Sequence, residues 1–129
     1  MNQAVREGIY TLAATATGLS SSNLYYAKAP EGKTGIYCVF YGIDDTLEFD
    51  STTQDNISNI QFSFFGTNLT SLETVVESFK GIFDFGEASL AVTGWGTLRL
   101  RGMLSIPAQR IDDVYRVILE YEVRVDKAR

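Results

Sequence analysis

Between Tyr115 and Val125 every second position is apolar or aromatic (Tyr115, Val117, Leu119, Tyr121, Val123, Val125), while the positions between them (Arg116, Ile118, Glu120, Glu122, Arg124) are mostly charged. A period of two predicts a strand with one face on a core and the other toward water or a charged partner. At about 3.3 Å per residue the strand runs roughly 35 Å, whereas ~5–6 residues is the usual length. The surplus predicts a sheet that reaches beyond its own core, and points to assembly rather than catalysis.

At the other end of the chain the period changes. Val5, Ile9, Leu12, Ala13 and Ala16 recur at helical spacing, with Asn2 placed to cap and Gly18 just past the end. Gly8 lies inside this helix, where it costs about 1 kcal/mol relative to alanine, and is read as a point of close packing. A turn through Gly18–Asn23 leads to a brief strand, Leu24–Lys28, and a loop through Ala29-Pro30-Glu31-Gly32. Ile36–Ile43 is apolar on both faces, predicting a central strand covered on both sides or packed across a subunit boundary.

Asp44 to Asn56 is acidic and polar, interrupted by Leu47 and Phe49, and is read as an extended loop or exposed hairpin arm. Alternation returns over Ile57–Phe65. Asn68 or Thr70 then starts a second helix, in which Thr70 and Glu73 have capping-box spacing and Leu72, Val75, Val76, Phe79, Ile82 and Phe83 form the apolar stripe. Past Gly81 and Gly86, Leu90–Val92 and Thr97–Arg101 read as two strands or one bent one around Gly94-Trp95-Gly96, with Pro107 closing the segment. A turn through Gln109, Arg110, Asp112 and Asp113 feeds the terminal strand. This order has no regular βαβ alternation. It predicts an α+β fold, an antiparallel β-sheet flanked by two main helices on one face, with an extended loop or hairpin arm.

Composition narrows the function. A length of 129 residues predicts one domain, residues 1–129, able to bury roughly two-thirds of its unfolded surface. There is no histidine and one cysteine, Cys38, so a disulfide within one chain and Cys/His zinc sites are excluded, together with every Ser-His-Asp or Cys-His nucleophile arrangement. A net charge of −5 argues against gripping nucleic-acid phosphates. The first residues lack the basic and apolar regions of a secretory signal, and no run of ~18 apolar residues occurs, so the chain reads as soluble and intracellular, with no membrane partner.

The remaining candidate chemistry is weak. Asp44-Asp45 and Asp112-Asp113 lack calcium-loop spacing and read as turn-forming or solvating carboxylates, so no metal site is expected. Gly94-Trp95-Gly96 reads as a turn or bulge with Trp95 over the core edge rather than a phosphate cradle. The sequons at Asn56 and Asn68 read as a turn and a helix cap, and Cys38 as a small buried hydrophobe with a raised pKa. Arg99, Arg101, Arg116 and Arg124 form a basic stripe across neighbouring strands. With Glu120 and Glu122 interleaved, the stripe reads as cross-strand or intersubunit ion pairs.

The layout resembles a known family. An amphipathic first helix, the Leu24-Tyr25-Tyr26 strand, Ala29-Pro30-Glu31-Gly32, the apolar strand Ile36 to Phe40, Ile60-Gln61-Phe62-Ser63-Phe64-Phe65, a helix from Leu72 to Phe83 and a final Asp113-Val114-Tyr115-Arg116-Val117-Ile118-Leu119-Glu120-Tyr121 together look like the tail-completion proteins of long-tailed bacteriophages, which are similar in role to tail terminators. The resemblance implies a non-enzymatic structural virion protein without cofactor. It implies a ring of copies of the chain, commonly a hexamer, that caps the tail tube protein, joins the head connector or stopper protein and leaves a channel for genomic DNA without sequence-specific binding. It places the protein at the head-tail junction of the virion, and in the host cytoplasm during assembly.

On that reading an acidic subunit presents DNA with a repulsive wall, provided its carboxylates face the lumen. Leu47, Phe49, Arg99, Arg101, Arg116, Glu120, Glu122 and Arg124 are the expected subunit or partner contacts. Two alternatives stand beside it. One is a head-tail adaptor, stopper or minor tail subunit of the same particle; the other is a small-molecule-binding or enzymatic α+β domain holding a ligand between helix and sheet with Tyr25, Tyr37 and Tyr41.

Overall fold

The computed structural model describes residues 1–49 and 53–128. Asp50, Ser51 and Thr52, part of the expected arm, lie outside the described residues, as does the side chain of Phe49. The elements are α1 (Gln3–Ala13), β1 (Leu24–Tyr26), β2 (Tyr37–Phe49), β3 (Thr53–Gly66), α2 (Leu69–Phe83), β4 (Gly96–Ile111) and β5 (Val114–Ala128). One five-stranded sheet runs in the order β1-β2-β3-β5-β4. The fold is α+β, as expected from the element order. β2, β3, β5 and β4 are antiparallel neighbours, whereas β1 pairs parallel with β2, so the sheet is mixed.

Both helices cover the same face. The inward positions of each strand meet across the register, with Cys38 opposite Phe64, Phe40 opposite Phe62, and Phe62 opposite Leu119. Against these α2 sets Leu72, Val75, Val76, Phe79 and Phe83, and α1 sets Val5, Ile9 and Leu12. The aromatic centre is tight: Phe79 lies 4.8 Å from Phe62 and 5.0 Å from Phe64, ring centre to ring centre. Such ring pairs add about 0.5–1.5 kcal/mol each beyond their area burial.

The helix starts follow from their caps. Asn2 Oδ1 accepts the Val5 N–H at 2.8 Å, and Asn68 Oδ1 accepts the Ser71 N–H at 3.0 Å. Asn68 is therefore the cap, and Thr70 lies inside the helix. Gly81 also lies inside α2, not in the connection that follows it.

Three strand expectations change. β4 does not end at Pro107: it runs to Ile111, because it is an edge strand and Pro107 falls where the register shifts between Ile106 and Gln109. A proline without an N–H is tolerated at such a bulge. The segment Leu90–Val92 is not a strand but a cover, joined to Trp95 by a single bridge and sealing the inward face of the sheet. Consequently β5 has no surplus: Val117, Leu119, Tyr121, Val123 and Val125 are all buried. The arm expected between Asp44 and Asn56 is a hairpin, with β2 and β3 paired out to Phe49 and Gln54.

Candidate functional site

The paired carboxylates singled out in the sequence do not converge on a common site among the described residues. Asp44 and Asp45 point to opposite faces of β2, Asp44 accepting from Asn59 Nδ2 and Asp45 from the Ser58 hydroxyl, each at 2.6 Å. Among the described residues no group of three or more His, Cys, Asp or Glu side chains could hold a metal ion. No helix among them is long and apolar enough to cross a membrane. Cys38 is fully buried, and that burial pushes its thiol well above the usual range, so it behaves as a small buried hydrophobe. Tyr121, also buried, donates to Asp84 Oδ1 at 2.7 Å; burial first and this carboxylate second raise its phenol beyond the ordinary range.

Strand alternation sends Tyr25, Tyr37 and Tyr41 to the face away from the helices, because their neighbours Leu24, Cys38 and Phe40 point inward. They cannot hold a ligand between helix and sheet, and that expected site does not exist. Instead Tyr37 stacks on Phe65 at 4.9 Å and Tyr25 meets Tyr37 edge-on at 6.4 Å, an aromatic patch on the outer face of the β1, β2 and β3 corner.

The charged candidates share that outer face. Arg99, Arg101, Arg116, Glu120, Glu122 and Arg124 alternate with the buried residues of β4 and β5. Most of them are ion-paired within the chain, although Arg99 Nε and Glu122 Oε1 are buried without a hydrogen-bond partner. Glu122 Oε1 lies 2.6 Å from Arg99 Nη2 and its Oε2 lies 3.4 Å from Arg101 Nη2. Arg124 pairs with Asp55 across the strand boundary and with Glu48 at 3.5 Å, and the Asp55 hydrogen bond raises its pKa further. The stripe is thus made of cross-strand ion pairs. Leu47 sits on the hairpin arm, 54 % exposed.

Two concave regions lie at opposite ends of the sheet. A groove of about 590 Å³ runs between the end of α2 and β4, lined by Lys80, Asp84, Phe85, Arg101, Met103 and Leu104 among others. A smaller pocket of about 380 Å³ lies between α1 and β1, formed by Arg6, Glu7, Tyr10, Thr11, Tyr26 and Phe40. Sequence reasoning passed over both. Phe85 belongs to no periodic run, and Tyr10 and Tyr26 look like ordinary helix and strand residues until the fold sets them around Phe40.

These features describe a class: an α+β protein with one mixed sheet, helices on one face, and half-buried aromatic and charged side chains on the other. No family model matches the chain. No curated protein matches it. Among solved structures it is similar to a chain described as the virion of a native gene transfer agent (GTA) particle, with 17 % identity, a TM-score of 0.67, and coverage of 95 % of this chain and 91 % of that one. At this identity the likeness shows the fold, and it extends over almost the whole of both chains.

Proposed function

We propose that this chain is a non-enzymatic structural protein of a phage-like virion. It forms a ring, a hexamer in the resembling family, that caps the tail tube at the head-tail junction, joins it to the head connector or stopper, and leaves a channel for DNA. On this reading residues 1–129 act as one domain, and no cofactor takes part. The observation that carries the reading is the fold likeness, end to end, to a chain from a virion particle. Two further features support it: the half-buried aromatic corner on the outer face and exposed apolar side chains at the end of α2 and on β4. Of the expected contacts, Arg116 and Glu120 on the outer face and Leu47 on the arm remain available to partners.

The test is sedimentation of the protein alone and with purified tail tubes, followed by imaging of the tube ends. Closed rings on one tube end are expected, whether or not the free protein is monomeric. A protein that ignores tubes and binds a small metabolite overturns the reading. Binding at another position on the particle converts it to the adaptor, stopper or minor tail subunit alternative.

A further inference from the structure

Both helices leave the outer face of the sheet uncovered, and the strand register divides that face in two. Toward the arm it is charged and closed on itself: Glu122 holds Arg99 and Arg101, Arg124 holds Asp55 and Glu48, and Asn59 donates to Asp44. Toward the other end, three rows of side chains cross the strands. Tyr37, Phe65 and Arg116 are neighbours in the first row, Val39, Ser63 and Ile118 in the second, and Tyr41, Gln61 and Glu120 in the third. Leu104 extends the third row onto β4, where it is 45 % exposed.

These rows contain two charges, and neither has an ion pair among the described residues: Arg116 in the first and Glu120 in the third. Both lie on β5, two positions to either side of Ile118. The cations at the margin are engaged elsewhere. Lys33 donates to the Ser22 carbonyl at 3.2 Å and lies over the Tyr25 ring, and Arg110 lies 3.6 Å from Asp113. Opposite charges placed evenly about an apolar residue make a surface complementary to itself.

We propose that this half of the outer face packs on the same half of a second copy of the chain. The two-fold axis lies between the two sheets and crosses the strands at Ile118, so the first row of each copy covers the third row of the other. Arg116 then meets Glu120 of the second copy, and Glu120 meets its Arg116. Tyr37 covers Tyr41 of the second copy, and the middle rows meet each other, apolar except for Ser63, which is only 7 % exposed. Strands stay aligned across the contact, as in other sheet pairs packed about 10 Å apart. An axis running along the strands between β3 and β5 would instead set Arg116 on Phe65 and Glu120 on Gln61, burying both charges without a counter-ion. Every contact is made twice, so association ends at two copies. Three rows on four long strands span roughly 400 Å² in projection, short of the ~800 Å² per partner of a standard interface, which makes the dimer weak and dependent on concentration. The contact belongs to the free chain and does not rest on the ring reading above.

Sedimentation equilibrium of the full chain without tail tubes, from low micromolar to near-millimolar concentration, tests it. A reversible monomer–dimer equilibrium is expected; a strict monomer throughout, or a cyclic oligomer with no dimer, overturns the proposal. Arg116→Glu and Glu120→Arg are each expected to weaken dimerisation roughly tenfold or more. Both changes in one chain, or an equimolar mixture of the two single variants, are expected to restore it to within a few-fold of wild type. Unchanged dimerisation by the single variants, or no restoration by the paired changes, overturns the two-fold register. Neither side chain belongs to the core, so thermal midpoints within a few degrees of wild type are expected; should a single variant fail to fold, the double variant and the wild type carry the comparison. Dimerisation without capping of tube ends would leave this contact standing and remove the ring, whereas capping by a strict monomer would do the reverse.

Discussion

Glycine at two helical positions carries opposite meanings here. Gly8 faces the cover segment: a Cβ built on it would collide with the Ala91 carbonyl oxygen and press on Val92 Cγ2 at 3.3 Å. Its expected role in close packing is therefore met, and the partner is a loop that no period could reveal. Gly81, in the last turns of α2, has nothing within 4 Å of a Cβ. Gly81→Ala is expected to stabilise the protein by about 0.5–1 kcal/mol through helix propensity alone. Gly8→Ala gains the same propensity but meets backbone that cannot yield cheaply, so a net loss of about 1–2 kcal/mol is expected. Urea unfolding of the two variants measures both; a stabilised Gly8→Ala would mean that the cover segment is loosely held. Phe85 marks the limit of reading at this scale, since a left-handed exposed aromatic has the same letter as a core one.

The elements most legible in the sequence were those whose period is set by burial on one side. Helix α2 and strand β5 follow their apolar stripes because each lays one face on the core: Phe79 and Phe83 from the helix, Leu119 and Tyr121 from the strand. Strand β4 was truncated in the reading because an edge strand with bulges loses alternation and can carry Pro107 without breaking a ladder on both sides. Strand β1 was found, but its parallel pairing depends on the long loop that brings Leu24 beside Cys38. The charged face of β5 was also legible as ion pairs, though not which partners lie within the chain. Arg124 is engaged by Asp55 and Glu48, and reversing its charge would break contacts inside the subunit. Glu120 lies opposite Gln61 and Leu104 and makes no ion pair among the described residues. Glu120→Lys is accordingly expected to leave the thermal midpoint within a few degrees of wild type while weakening capping of tail tubes. Undiminished capping, scored by counting occupied tube ends, would make that face plain solvent-exposed surface.

For the molecule as a whole, charge and its placement determine what a DNA duplex would meet at its surface on the proposed reading. The chain carries 16 acidic and 11 basic residues, and the arginines that could have formed a phosphate-binding stripe are largely neutralised on the spot. Arg99 and Arg101 converge on Glu122, and Arg124 on Asp55 and Glu48, leaving Arg116 as the one member of the stripe without such a partner among the described residues. A net charge of −5 was legible from composition; this local cancellation was not, because it depends on the β3, β5 and β4 register. Affinity for duplex DNA arises chiefly from cations that displace counterions from phosphates, and each neutralised arginine removes one such contact. On the proposed ring reading, such a subunit would let DNA slide because it offers little to hold it. Binding of a fluorescent duplex is therefore expected to be weaker than about 10⁻⁴ M at physiological salt, with almost no salt dependence. Glu122→Gln, which releases Arg99 and Arg101 from their shared carboxylate, is expected to strengthen binding at low salt and to introduce a measurable slope of log affinity against log salt. Micromolar binding by the wild type with a steep slope would show that the basic stripe is open to phosphate, against the proposed role in a channel that lets DNA slide.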